Sequence, residues 1–183
     1  MKKVYVFLAD GFEEIEGLAV VDLLRRADIE VRTVSISNDD FVTGSHNIVV
    51  KCDTLFQEES FEDAQMLVLP GGMPGTKSLQ EHEGLGKLLL KFHEDKKWLV
   101  AICAAPSVLG HYGILQGERA VCFPGFEDKL HGATIGERKV EVSHHIITSK
   151  GMGTAIDFGL MIIAKLRSEE VSRQVKDSIL YEK

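Results

Sequence analysis

Three stretches of the chain are apolar at every position: residues 4–9, 66–69 and 98–102. A short uninterrupted apolar run marks a strand covered on both faces, since a half-covered strand alternates apolar with polar residues. Between these runs the period lengthens. Acidic residues from Glu13 onward open a helix, and residues 83–94 form another, with Leu85, Leu88, Leu89 and Phe92 on one face. Residues 154–166 read as a third helix, and Ser168 caps a fourth whose first turn holds Glu169 and Glu170. Residues 30–37 alternate as a strand and break at Asn38-Asp39-Asp40. Residues 41–51 suggest a small hairpin around Gly44-Ser45-His46-Asn47, and strands at 139–143 and 146–149 join through a turn at His144 and His145. The region after Cys103, with Gly113, Gly117, Pro124 and Gly125, reads as irregular.

Strands alternating with helices predict a doubly wound α/β sandwich, a mainly parallel sheet with helices on both faces. No internal repeat, low-complexity tract or linker divides it, so residues 1–183 are expected to form a single domain. Sites in such sheets lie beyond the carboxyl ends of the strands. Three segments stand there: Ala9-Asp10-Gly11, Pro70-Gly71-Gly72, and Cys103 at the end of 98–102.

Cys103 is followed by Ala104-Ala105-Pro106-Ser107, small residues and a proline at a strand-to-helix turn. That placement is expected to favour a thiolate, through unpaired backbone N–H groups and the helix dipole. The pattern is similar to the nucleophile elbow of hydrolases, with sulfur replacing oxygen. A buried packing cysteine is the alternative. Glu16 shares a helix stripe with Val20, Leu23, Leu24 and Ala27, whereas Glu14 shares one with Asp22, Arg25 and Arg26. A carboxylate beginning an apolar stripe must be protonated or paired, which suits a general acid/base beside Cys103. The alternative, complementing the helix dipole, already accounts for Glu13 and Glu14. Gly71 and Gly72 permit close backbone approach, and the N–H groups of Gly72 and Ala104 are candidates for an oxyanion hole, unless the glycines serve only a turn. Gly75-Thr76-Lys77-Ser78 echoes a phosphate loop, but its spacing fails the motif.

Composition narrows the picture. Lys plus Arg number 21 against 28 Asp plus Glu, net −7, and no basic block supports nucleic-acid or anionic-membrane binding. No apolar run reaches membrane-spanning length, and Asp10 interrupts the first strand too early for a signal-peptide core. Three cysteines without paired spacing argue for a reducing compartment, the cytoplasm. Cys52 and Cys122 sit among apolar or β-prone neighbours and read as packing residues. The seven histidines form no Cys/His cluster of metal-ligand type, and His144-His145 reads as a solvated turn.

Ala9-Asp10-Gly11-Phe12-Glu13-Glu14-Ile15-Glu16, Leu69-Pro70-Gly71-Gly72, Ala101-Ile102-Cys103-Ala104-Ala105-Pro106 and Thr148-Ser149-Lys150-Gly151-Met152-Gly153-Thr154 together resemble the ThiJ/PfpI family. Within it they resemble the branch of the parkinsonism-associated deglycase and its bacterial relatives. The resemblance implies a flavodoxin-like sandwich, a homodimer, a reactive Cys103, a protonated Glu16 and oxyanion donors from Gly72 and Ala104. It implies no cofactor and no metal. Activities it implies are glutathione-independent glyoxalase action on methylglyoxal, deglycation of early adducts, and oxidation-sensitive chaperone or stress roles. More distant relatives are proteases or amidases. Two departures stand out. Phe123 precedes Pro124 where many members carry a histidine, which disfavours acyl-transfer chemistry needing a Cys–His dyad. Lys150 and Met152 replace a frequent arginine and proline.

Overall fold

The structure, a computed structural model, describes residues 3–182. The first apolar run forms β1 (Lys3–Leu8), and its side chains divide between two cores. Val4, Val6 and Leu8 enter one cluster, while Tyr5 and Phe7 enter the other. The same division recurs at Met66 and Val68 against Leu67 and Leu69, and at Val100 and Ile102 against Leu99 and Ala101. A pleated strand sends successive side chains to opposite faces, so an unbroken apolar run requires cover on both.

Helix α1 (Glu14–Arg26) follows, then β2 (Val31–Ser35), the antiparallel hairpin β3 (Phe41–Thr43) and β4 (Val49–Lys51), and the short β5 (Thr54–Leu55). Next come β6 (Ala64–Leu69), α2 (Gly75–Glu81), α3 (Glu83–Glu94), β7 (Trp98–Ile102) and α4 (Pro106–His111). A short parallel pair, β8 (Arg119–Ala120) and β9 (Thr134–Ile135), crosses the irregular region. The chain closes with β10 (Val140–Ser143), β11 (Ile146–Ser149), α5 (Ala155–Leu166) and α6 (Glu169–Ser178).

The main sheet runs β10-β11-β7-β6-β1-β2-β5, with β10 antiparallel to β11 and the remaining pairs parallel. Counting only β1, β2, β6, β7 and β11, the order is that of the flavodoxin-like doubly wound sheet. Helices α1, α5 and α6 cover one face through residues such as Leu24, Phe158 and Val175; α2, α3 and α4 cover the other through Leu79, Leu89 and Val108. The winding reverses between β1 and β6, and the crevice beyond their carboxyl ends opens there. Among the described residues no helix is long and apolar enough to cross a membrane.

Three expectations are corrected. The segment after Gly72, read as loop, contains α2, a seven-residue helix whose mostly polar sequence hides the anchoring Leu79. Thr76, in the phosphate-loop echo, is simply part of its first turn. Glu14 is not on an exposed stripe. It is 2% exposed, because the β3–β4 hairpin folds over the start of α1. Its carboxylate accepts hydrogen bonds from the His46 N–H at 2.7 Å and Ser45 Oγ at 3.3 Å, and pairs with His46 Nδ1 at 2.9 Å. The hairpin is also stitched down by backbone bonds from Gly11 N–H to Thr43 and from Ser45 N–H to Phe12, each 2.8 Å. His145, expected in solvent, is half-buried against His93 at 3.1 Å, whereas His144 is exposed and contacts Glu118.

Burial raises the Glu14 pKa, but the His46 side chain and the N–H groups of Glu14, His46 and Ile48 outweigh it and hold the group down at about 2. A depressed carboxylate stabilises the fold above its unfolded value of 4.5 and loses that contribution as pH falls toward 2. We expect Glu14→Gln to flatten this part of the stability curve, measured as the urea midpoint at pH 5.5 and pH 3. An equal loss of midpoint in both proteins would show that Glu14 is not linked to folding.

Candidate active site

Cys103 ends β7 in the left-handed region, with φ +65°. Such a conformation costs a non-glycine residue on the order of 1–3 kcal/mol and persists only where surroundings enforce it. Here the Cys103 N–H donates to Ser149 O at 3.0 Å, the Phe123 N–H donates to Cys103 O at 2.8 Å, and Ala105 N–H closes the turn onto Ile102 O at 3.1 Å. Pro106 then begins α4, where a missing N–H costs nothing. The result is a sharp strand-to-helix turn that lifts Sγ off the sheet, the geometry of a nucleophile elbow.

Glu16 reaches the same point from α1 and is 1% exposed. The helix is set by Glu13, whose carboxylate caps it by accepting from the Glu16 N–H at 2.8 Å. The β6–α2 loop locks onto this turn twice: Glu13 N–H donates to Gly71 O at 2.8 Å, and Gly71 N–H donates to Glu16 Oε2 at 3.0 Å. Only glycine fits position 71, since a Cβ there would lie 2.5 Å from Cys103 Cβ and 2.7 Å from Glu16 Oε2. Gly72 has φ +91°, which turns its N–H toward the sulfur.

The Glu16 carboxyl and Cys103 Sγ are hydrogen bonded to each other. Burial pushes Glu16 up to about 7, aided by the negative charge of Glu13; the bond to Cys103 and the N–H groups of Gly71 and Met152 act against it. Burial, then the charge and hydrogen bond of Glu16, push the Cys103 thiol up to about 12, against the N–H groups of Ala104 and Gly72. The expectation of a thiol made acidic by the helix N-terminus is thereby corrected: desolvation and a neighbouring carboxylate exceed the pull of the backbone donors. The two groups titrate as a pair. It loses one proton near pH 7 and holds the second far into the alkaline range, so above neutral pH the pair carries one proton. When that proton sits on Glu16, the sulfur is an anion facing the Ala104 and Gly72 N–H groups and an acid O–H.

The structure therefore brings Cys103, Glu16, Gly72 and Ala104 together. It adds contributors that the sequence did not single out. Met152 N–H faces the Glu16 carboxyl. Its loop is pinned by Thr154 Oγ1, which bonds Ser149 Oγ at 2.7 Å and Gly151 O at 2.9 Å. The clustered glycines around Met152 were the available signal. Phe123 adjoins the elbow through its N–H bond to the Cys103 carbonyl, and Lys150 Nζ turns to Glu137 O at 2.8 Å. Cys52 and Cys122 are buried, with thiols pushed up to about 12 and about 11 by burial, as packing residues should be. One group of metal-ligand type does form: Glu13, Glu14 and His46 lie with donor atoms within 4.8 Å of one another. Those donors are already engaged, Glu13 by the Glu16 N–H and Glu14 by Ser45 and His46.

The family model described as the DJ-1/PfpI family matches residues 2–165. The zebrafish protein named Parkinson disease protein 7 homolog is 34% identical over 189 residues, covering 98% of this chain and 97% of that protein. DJ-1 homologs A and B of Arabidopsis thaliana are each 34% identical across 98% of this chain, which spans less than half of their length (46% and 41%). Among solved structures, oxidised Toxoplasma gondii DJ-1 superposes over the whole of both chains with a TM-score of 0.96 and 36% identity. Agreement of this extent, in sequence and in the path of the backbone, makes the chain a member of the DJ-1/PfpI family.

Proposed function

We propose that the protein is a cysteine-dependent, glutathione-independent enzyme acting on α-oxoaldehydes such as methylglyoxal or on early glycation adducts. The observation that carries this reading is the buried Glu16 carboxyl hydrogen bonded to Cys103 at the elbow, beside the Gly72 and Ala104 N–H groups. Glu16 takes the thiol proton as the sulfur adds to the aldehyde carbon, and the charge passes to oxygen beside the Gly72 and Ala104 N–H groups. Glu16 returns the proton to that oxygen, giving a neutral hemithioacetal. As a carboxylate again, it removes the hydrogen from the former aldehyde carbon and delivers a proton to the adjacent carbon, while the hydroxyl proton on the first oxygen passes to the former ketone oxygen. The product is a thioester of a 2-hydroxy acid. Water cleaves it, releasing lactate from methylglyoxal and restoring the thiol, with no external oxidant.

A carboxyl group with a pKa near the working pH suits repeated proton transfer in both directions. Phe123 offers no imidazole, which weighs against peptide or amide hydrolysis by a Cys–His dyad. The protein is proposed to act as a homodimer: Ile15, Phe41, Ile48 and Val49 are exposed on α1 and the hairpin packed over it. Three free cysteines suit the reducing cytoplasm.

A second reading makes Cys103 an oxidation sensor or the switch of a redox-regulated chaperone. It is favoured by the donors around Sγ, since the Glu16 acid and the Gly72 and Ala104 N–H groups would equally hold a sulfinate. A DJ-1 relative has been solved in an oxidised form. Selective gain of two oxygens on Cys103 under mild peroxide, with negligible aldehyde turnover, would favour the sensor.

Cys103→Ala should abolish lactate formation from methylglyoxal, and Glu16→Gln should lower it about 100-fold or more. Full activity in either variant would refute the mechanism. The rate of Cys103 alkylation by iodoacetamide should rise through pH 7 as the pair loses its first proton. In Glu16→Gln that step should vanish and the thiol should titrate below 12, because the raising charge is gone. A step that survives the substitution would show that Glu16 is not its source.

A further inference from the structure

Two of the backbone donors around the reacting pair carry large apolar side chains that are exposed. Phe123, whose N–H holds the Cys103 carbonyl, is 48% exposed, and Met152, whose N–H faces Glu16, is 56% exposed. Gly151 lies between them and is buried. A Cβ at 151 would stand 3.3 Å from Phe123 Cδ2 and 3.8 Å from Glu16 Oε1, so the ring edge and the carboxyl group border one gap that any side chain there would enter. Isolated exposed apolar residues are ordinary. Here a phenyl ring and a thioether are rooted in the loops that hold both reacting groups, and the ring edge borders the gap, so together they can serve as its apolar wall.

Resting on the reading proposed above, the geometry points to Phe123 and Met152 as specificity-determining residues that select α-oxoaldehydes with aryl or branched apolar substituents over methylglyoxal. The aldehyde carbon must meet Sγ, and its oxygen must face the Gly72 and Ala104 N–H groups. The adjacent carbon must come within reach of Glu16. The substituent on that second carbon then leaves along the gap beside Gly151, against Phe123 and Met152. A methyl group covers little of this wall. A phenyl group can lie against the ring and remove apolar surface of both partners from water. Binding energy from such a remote group is used to orient the reacting centre.

The test uses two alkylating ketones that differ in the same way and need no turnover, phenacyl bromide and bromoacetone. Alkylation of Cys103 is followed by peptide mass mapping, and each rate is divided by that of glutathione. The corrected preference for the phenyl reagent should be about tenfold or more. It should fall severalfold in Phe123→Ala and be largely kept in Phe123→Leu, with circular dichroism confirming the fold of each. A corrected ratio near one in the wild type, or a ratio unmoved by Phe123→Ala, would overturn the assignment. Turnover of phenylglyoxal and methylglyoxal is measured beside it. If neither aldehyde is consumed while the alkylation preference holds, the enzymatic reading fails and the selective mouth stands.

Discussion

One hydrogen bond, between a buried carboxyl group and a sulfur on a strained turn, organises the crevice. Neither group is stable there alone. Glu16 at 1% exposure would be an uncompensated charge, and Cys103 at φ +65° would relax to an ordinary turn. Each tolerates its position because the other and the surrounding backbone donors share the cost. Above neutral pH the pair carries one proton, because low polarity makes a second charge there unfavourable.

The sheet topology explains why these groups meet. β1 sends its chain to α1 on one face, and β6 sends its chain to α2 and α3 on the other. The loops part at the switch point and leave a crevice at the carboxyl ends. Glu16 enters it from the first loop and Gly71 and Gly72 from the second, while Cys103 rises from the neighbouring β7. The reciprocal bonds between Glu13 and Gly71, and between Gly71 and Glu16, tie the two loops together, so the carboxyl group and the donors cannot drift apart independently.

Family membership accounts for the scaffold, and two exposed apolar residues, Phe123 and Met152, are rooted in the loops around the pair. The N–H of Phe123 holds the Cys103 carbonyl, and the N–H of Met152, a donor that a proline could not supply, faces the Glu16 carboxyl. A rim built of a phenyl ring and a thioether supplies no proton carrier and much apolar surface.

What the sequence alone determined was whatever local pattern dictates. Unbroken apolar runs specified buried strands, helical stripes specified which faces turn inward, and Glu16 was legible because a carboxylate at the head of an apolar stripe is too costly to be incidental. Cys103 was legible because small residues and a proline after a strand admit few conformations. Tertiary structure decided what depends on partners distant in the chain. Glu14 lay on an apparently polar stripe and became buried because a hairpin some thirty residues away, by the 32-residue separation of Glu14 and His46, folds over it. The thiol was expected to be acidic from its helix end. It is raised instead, since desolvation and the charge of Glu16 come from packing that no local motif encodes. The glycines around Met152 marked its loop, but the roles of the Met152 donor and the Thr154 clamp came from the fold: backbone N–H groups acquire chemical identity only once the fold aims them.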